Sequence, residues 1–81
     1  MMPALKTTEY FRFMRHRPDR ARIRDEWIAQ AIETPMAEAR QPDGRIRRLI
    51  YIPEEKRYLR VILLPDGATV HNAFFDRRFT P

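Results

Sequence analysis

The sequence predicts an α+β protein built as a single domain over residues 1–81, with a short N-terminal strand, one main helix and then a four-stranded antiparallel meander. Two patterns predict this class. Apolar residues recur at helical spacing in one stretch before Thr34, and the second half of the chain alternates apolar and polar residues between two Pro-Asp-Gly turns. We expect the helix to pack on one face of the sheet.

The N-terminal half is expected to contain the first strand and then the helix. Residues 7–14 are predicted as a strand because their aromatic side chains favour the pleated state. Pro18 suits the first helical position, Asp19 adds negative charge to the first turn, and Pro35 ends the helix near Thr34. The apolar stripe of the helix consists of Ile23, Trp27, Ala31, Ile28 and Ile32.

The C-terminal half is expected to form four strands, at about residues 37–41, 45–52, 57–64 and 68–75. The segments QPDGR and LPDGA each place Pro at the first turn position and Gly at the left-handed position, so both predict tight turns. If the last turn has three loop residues and the middle turn has four, the register pairs Ile50–Leu59, Ile52–Arg57, Leu64–Ala68, Val61–His71, Arg60–Asn72 and Tyr58–Phe74.

This register gives the predicted sheet two different faces. The core face, which the helix stripe covers, is expected to hold Ile50, Ile52, Leu59, Val61, Leu63, Ala73 and Phe75. The open face is expected to hold Arg45, Arg47, Leu49, Tyr51, Tyr58, Arg60, Ile62, Asn72 and Phe74. A one-residue slip in the middle loop would move the side chains of the third strand to the opposite faces.

The charge of the chain is basic and unevenly distributed. The net charge is +5, and 14 of the 16 basic residues are arginine, whose planar guanidinium group suits phosphates and base edges. Residues 1–24 carry seven basic and two acidic residues. Residues 25–44 carry one basic and five acidic residues, and residues 45–81 carry eight basic and four acidic residues. The two basic ends could fold into one polyanion-binding surface. A GC-rich genome is the alternative explanation for so much arginine.

The composition excludes several classes of site. Without cysteine the chain has no disulfide or thiolate metal site, and without serine it has no serine nucleophile. No metal or cofactor is expected, although a zinc site built from the two histidines and carboxylates stays open. No segment resembles a signal peptide or a membrane span, so a cytoplasmic protein without membrane contact is expected.

The open face carries the main candidate site, because single-stranded nucleic acid needs cations for its phosphates and rings for its bases. The candidate nucleic-acid-binding residues are Arg20, Arg45, Arg47, Tyr58, Asn72 and Phe74. The alternative is a second hydrophobic layer bordered by solvated arginines. Arg60 is a candidate catalytic residue that stabilises phosphate charge, or it forms an ion pair with one of the carboxylates Glu38, Glu54 and Glu55.

The two histidines are the candidate proton-transfer groups. The predicted register places His71 toward the core face opposite Val61, which leaves a half-buried, hydrogen-bonded histidine as the alternative. His16 precedes the predicted helix among several arginines, where either a phosphate seat or a solvated basic turn is expected.

Three segments resemble a known group of proteins: RHRPDR before the helix, then DGRIRR and YLRVILLPDGATVHNAFFD on successive strands. They are similar to small uncharacterised bacterial proteins related to the BrnT and RelE toxins of type II toxin–antitoxin systems. The resemblance implies a RelE-like fold, mRNA endoribonuclease activity and a partner antitoxin. The resemblance also implies that Arg60 contacts phosphate. It implies that His71 occupies the position at which some relatives have a histidine or arginine. His16 and Arg20 match the His-x-x-x-Arg motif at the start of the group. The segment DRRFTP has no tyrosine for a late general acid, which disfavours a ribosome-dependent mechanism.

The leading hypothesis is therefore a toxin-like endoribonuclease that cleaves RNA by metal-independent phosphoryl transfer, with the RNA 2′-hydroxyl as nucleophile. The alternatives are a non-catalytic module of the same fold that binds nucleic acid or protein, and an interaction protein whose basic patch meets an acidic antitoxin. The expected partners are RNA, free or ribosome-bound, and a small antitoxin protein. An outer sheet edge could also pair two copies into a homodimer.

Overall fold

A computed structural model describes residues 4–80 of the chain. Its elements are α1 (Glu9–Met14), α2 (Asp25–Glu33), β1 (Ala37–Arg40), β2 (Ile46–Ile52), β3 (Arg57–Leu63) and β4 (Val70–Asp76). The four strands form one sheet in the order β1-β2-β3-β4, with every neighbouring pair antiparallel. The predicted α+β class with a four-stranded antiparallel sheet is confirmed.

The N-terminal segment forms helix α1, so the predicted strand over residues 7–14 is wrong. Thr8 is extended, and its Oγ1 accepts the N–H of Phe11 at 3.1 Å, which caps the helix. Phe11 is buried, whereas Phe13 is 74% exposed; a strand with that face inward would have buried both. The local N-cap therefore outweighs the strand preference of the aromatic residues. Thr7 alone keeps a strand-like contact, as an isolated parallel bridge to Val70.

Helix α2 begins at Asp25, seven positions after the predicted start at Pro18. Residues 15–22 form successive turns instead, in which Arg17 O accepts hydrogen bonds from the N–H groups of Arg20 and Ala21. A helix through this segment would place arginines four residues apart on one face, where like charges repel. Asp25 and Glu26 then supply the negative charge that a helix N-terminus favours.

The register between β2 and β3 is confirmed, because Ile50 pairs with Leu59 and Ile52 with Arg57. The predicted register between β3 and β4 is wrong. The observed pairs are Tyr58–Asp76, Leu59–Phe75, Arg60–Phe74, Val61–Ala73, Ile62–Asn72 and Leu63–Val70. From Ile62 to Tyr58, β4 is therefore shifted by two residues from its predicted position, whereas at Leu63 the shift is one residue.

The connection between β3 and β4 explains one residue of the shift, and an irregularity in the pairing between Leu63 and Ile62 adds the second. The Asp66 carboxylate accepts the N–H groups of Ala68 and Thr69 and the Thr69 hydroxyl, so β4 starts at Val70 rather than at residue 68. Leu64 N–H bonds to Thr69 O at 2.9 Å, which closes a longer loop than the three residues expected. Because a shift of two residues preserves the side-chain alternation, residues keep their predicted faces where the pairing is regular.

The core lies between the helices and the core face. Buried residues of α1 and α2 share one apolar cluster with the sheet, and the helix members are Phe11, Trp27, Ile28 and Ala31. Of the seven residues predicted for the core face, six belong to this cluster and Phe75 packs against it. Neither helix within residues 4–80 is long and apolar enough to cross a membrane.

Candidate nucleic-acid interface

An open depression of about 340 Å³ lies where the open face meets α1 and the turn before β2. Its lining includes Arg45, Arg60, His71, Asn72 and Phe74, so five of the nine predicted site residues come together. Tyr10 and Gln41 also line it, and neither was predicted as a site residue. Tyr10 could have been found from the helix-start signal of Thr8 as N-cap and Glu9 in the first turn, because the helix that begins there places this ring against His71.

His71 is the extra residue of a β-bulge, and its predicted position opposite Val61 on the core face is wrong. Leu63 pairs with Val70 and Ile62 with Asn72, which leaves His71 opposite no residue of β3. Because a bulge redirects the side chain of its extra residue, the imidazole ring lines the depression instead of entering the core. Register prediction from turn length cannot place such a bulge.

Three neighbours determine the environment of the His71 ring. Tyr10 stacks on it with 4.9 Å between ring centroids and an interplanar angle of 22°. The Thr8 hydroxyl lies 3.2 Å from Nδ1. Partial burial lowers the pKa of His71, the positive charge of Arg45 lowers it further, and Asp43 opposes them only in part. The uncharged form of His71 is therefore favoured.

Arg60 lies on the same face as Arg47, as predicted, but its guanidinium group forms an ion pair with Asp76. The three carboxylates considered from the sequence are not its partners. The Asp76 carboxylate also accepts the N–H groups of Arg78 at 2.8 Å and of Phe79 at 3.2 Å. Burial raises the pKa of Asp76, but these N–H groups and the Arg60 charge outweigh it, so the pKa lies below its ordinary value. The charge of Arg60 is therefore largely compensated, which supports the ion-pair alternative.

Arg20 joins this surface from the turn before α2. Its Nη1 donates to Asn72 Oδ1 at 2.6 Å, and its guanidinium carbon lies 5.3 Å from the centroid of the Phe74 ring. The guanidinium carbon of Arg60 lies 5.7 Å from the same centroid. Asn72 and Phe74 thus hold two arginine side chains in place, and their own contact with a nucleic acid is limited.

Arg45 and Arg47 are the more available cations. Arg47 opposes Ile62 on the open face, and no carboxylate of residues 4–80 lies within ion-pairing distance of it. The Arg45 side chain is 42% exposed and has only a loose contact of 3.6 Å with the exposed Asp43. Exposed contacts of this kind contribute little and leave the cation free to exchange partners.

The aromatic residues of the open face also differ in availability. Tyr58 packs edge-to-face against Tyr51 and Phe79, with ring centroids 5.2 and 5.0 Å away, and is half-buried. Tyr51 is 43% exposed and Tyr10 is 46% exposed. These two tyrosines, rather than the predicted Tyr58 and Phe74, present the accessible rings.

His16 does not belong to this site. It is exposed in the turn after α1 and does not line the depression. The phosphate seat predicted there required a helix starting at Pro18, and α2 starts at Asp25. The exposed basic turn, given as the alternative, is the observed arrangement.

Comparisons with protein-family models, with curated proteins and with solved structures found no match to this chain. The resemblance to the BrnT and RelE toxins stays a prediction. Among residues 4–80, no group of three or more His, Asp or Glu side chains is arranged to hold a metal ion.

Proposed function

We propose that the open face of the sheet binds single-stranded RNA, with phosphates at the depression and bases on the exposed tyrosines. The observation that carries this proposal is the meeting of Arg45, His71 and Tyr10 around one open depression, with Arg47 on the same side of the sheet. Cations and rings side by side are what single-stranded nucleic acid needs.

The side-chain contacts of the two engaged arginines define what kind of binding to expect. Arg60 and Arg20 are engaged with Asp76 and Asn72, so the phosphate contacts fall mainly to Arg45 and Arg47. Few phosphate contacts give modest affinity with a shallow salt dependence, about 0.7 log units of affinity per log unit of salt for each contact with a single strand. The net charge of +5 adds long-range attraction for a polyanion.

Fluorescence anisotropy of a labelled polyuridine oligonucleotide tests the proposal. Arg45→Ala and Arg47→Ala should each weaken binding about 5-fold at low salt, since one solvent-exposed hydrogen bond contributes roughly 1 kcal/mol net. Arg22→Ala is the matched control: it removes the same charge from a side chain that pairs with Glu55. The proposal is overturned if the wild type does not bind, or if Arg22→Ala weakens binding as much as the two open-face variants.

A second candidate function is RNA cleavage, and the position of His71 beside Arg45 and Arg60 in the depression favours it. The RNA 2′-hydroxyl would give its proton to His71 and attack the adjacent phosphorus, and the 5′-oxygen of the next nucleotide would leave with a proton returned by His71, which produces a 2′,3′-cyclic phosphate and a 5′-hydroxyl. This proposal keeps the toxin-like endoribonuclease expected from the resemblance. Cleavage lost in His71→Ala and with 2′-deoxy substrate would support it, whereas intact RNA after prolonged incubation with purified wild-type protein would exclude it for free RNA. An antitoxin partner and a homodimer stay predictions.

A further inference from the structure

The Thr8 hydroxyl joins the start of α1 to the side chain of His71, 63 positions along the chain. Its oxygen accepts the N–H of Phe11 at 3.1 Å and lies 3.2 Å from His71 Nδ1. The backbone supports the same connection, because Thr8 N–H donates to Val70 O at 3.0 Å and Val70 N–H donates to Lys6 O at 2.8 Å. Thr8 is thus fixed next to the bulge that carries His71.

A count of protons distinguishes the two neutral forms of the ring. The Thr8 oxygen can accept two hydrogen bonds and donate one, and the Phe11 N–H already fills one acceptor position. If Nδ1 is unprotonated, it accepts the hydroxyl proton and both groups are satisfied. If Nδ1 carries the proton, the hydroxyl accepts it, and the hydroxyl's own proton has no acceptor among residues 4–80.

We propose that Thr8 donates its hydroxyl proton to Nδ1 of His71 and so holds the ring in the tautomer that carries its proton on Nε2. Thr8 is then a positioning residue, and His71 presents a neutral N–H donor to the depression. The Tyr10 ring, stacked at 4.9 Å, fixes the plane in which Nε2 points. The assignment rests on the proposed function only for its ligand: Nε2–H donates to a phosphate oxygen of bound RNA.

This role differs from that of a general base. A base must offer an unprotonated nitrogen to the substrate, and in this tautomer the unprotonated nitrogen faces Thr8. The charged or titratable groups around the ring are Arg45, Asp43, Arg60 and Tyr10, and partial burial together with the Arg45 charge disfavours a second proton on it. The assignment therefore favours RNA binding over cleavage by His71 acting as base.

The tautomer can be measured directly, without RNA, from two-bond proton–nitrogen correlations in protein labelled with ¹⁵N-histidine. In the wild type, His71 should show its unprotonated nitrogen at Nδ1. Thr8→Ser keeps the hydroxyl and should give the same pattern. Thr8→Asp keeps a good helix cap, but its carboxylate can only accept, so the proton should move to Nδ1 and the pKa of His71 should rise.

These variants separate the effect of Thr8 on the His71 ring from its effect on the helix, because Thr, Ser and Asp at position 8 all cap α1. The inference is overturned if the wild type carries its proton on Nδ1, or if Thr8→Asp, shown to be folded, leaves the tautomer unchanged. His71→Gln and His71→Leu test the ligand: glutamine retains an N–H donor and should bind RNA within about 2-fold of wild type, whereas leucine should lose about 5-fold. If the tautomer is as proposed but RNA does not bind, only the proposed function fails.

Discussion

Replacing Asp76 with asparagine should destabilise the fold and strengthen RNA binding, because this carboxylate both supports the structure and cancels a positive charge on the open face. The two carboxylate oxygens have separate tasks. Oδ1 accepts the N–H groups of Arg78 and Phe79, and Oδ2 contacts Nη2 of Arg60. In Asp76→Asn the amide oxygen can keep both backbone bonds, while the amide nitrogen replaces Oδ2. The substitution therefore removes the ion pair selectively.

The loss of stability follows from how far the pair is buried. The Asp76 side chain is 6% exposed and that of Arg60 is 23% exposed, so the pair is intermediate between a buried and a surface ion pair. Breaking a buried pair costs about 3–5 kcal/mol and breaking an exposed pair about 0–1 kcal/mol, which gives about 2 kcal/mol here. For a chain of this length, that loss lowers the Tm by about 10 °C.

Urea unfolding followed by Trp27 fluorescence measures this loss, because Trp27 is the one tryptophan of the chain and is 7% exposed. A double-mutant cycle with Arg60→Met should give a coupling free energy of about 2 kcal/mol, with the double variant less destabilised than the sum of the single variants. Glu54→Gln removes an exposed carboxylate and controls for the change in net charge. Additive effects in the cycle would refute the assignment of the ion pair to stability.

The same variant tests the electrostatic reasoning about RNA. Without Asp76 the Arg60 charge is uncompensated, and one further phosphate contact becomes available at the depression. We expect RNA affinity to rise about 5-fold at low salt, with the salt slope steeper by about 0.7. The measurement is made below the Tm of the variant, on protein shown to be folded. Unchanged affinity would mean that Arg60 lies outside the binding surface.

Three further outcomes concern the fold. Leu59→Ala should lower the free energy of unfolding by about 3 kcal/mol in urea titrations, since Leu59 is fully buried in the core, and the half-buried Leu64→Ala should cost less. Gly67→Ala should cost about 1 kcal/mol by the same assay, because φ is +71° there while the added Cβ would meet only Ile46 at 3.8 Å. Thermal melts should show stability falling from about pH 4 toward pH 2. Hydrogen bonds from the Thr69 hydroxyl and the N–H groups of Thr69 and Ala68 lower the pKa of Asp66 to about 2, so its stabilisation is lost in that window, and Asp66→Asn should flatten the fall.

The sheet is the part that sequence reasoning could predict, because the side chains of a strand point alternately to two faces, so each residue has only two possible positions. The IPEEKR turn fixed the β2–β3 pairing, and apolar alternation was enough to place the seven core-face residues. Even a two-residue error in β4 left Arg60 and Phe74 on the predicted face, since an even shift preserves alternation. The face of the sheet on which a residue lies is thus easier to predict than the residue with which it pairs.

The N-terminal third was harder to predict because short-range capping decided it. Tyr10, Phe11 and Phe13 favour a strand individually, yet the Thr8 side chain satisfies a backbone N–H that only a helix start leaves free. A six-residue helix has too few positions to show a period, so the apolar pattern carries almost no signal there. The Tyr10 side of the candidate site was missed for that reason.

The Arg60–Asp76 pair shows why the chemistry of the site could not be predicted together with its location. In the predicted register Phe74 pairs with Tyr58, which places Asp76 beyond the end of β3 and out of reach of Arg60. The Asp66 loop and the bulge at His71 each displace β4 by one residue, so Asp76 pairs with Tyr58 and becomes the diagonal neighbour of Arg60 on the open face. Diagonal neighbours in a sheet are within reach of a long side chain. The turn at the end of β3 and the bulge in β4 thus together decide whether Arg60 is a free cation or a compensated one, and the Asp76→Asn variant measures the difference.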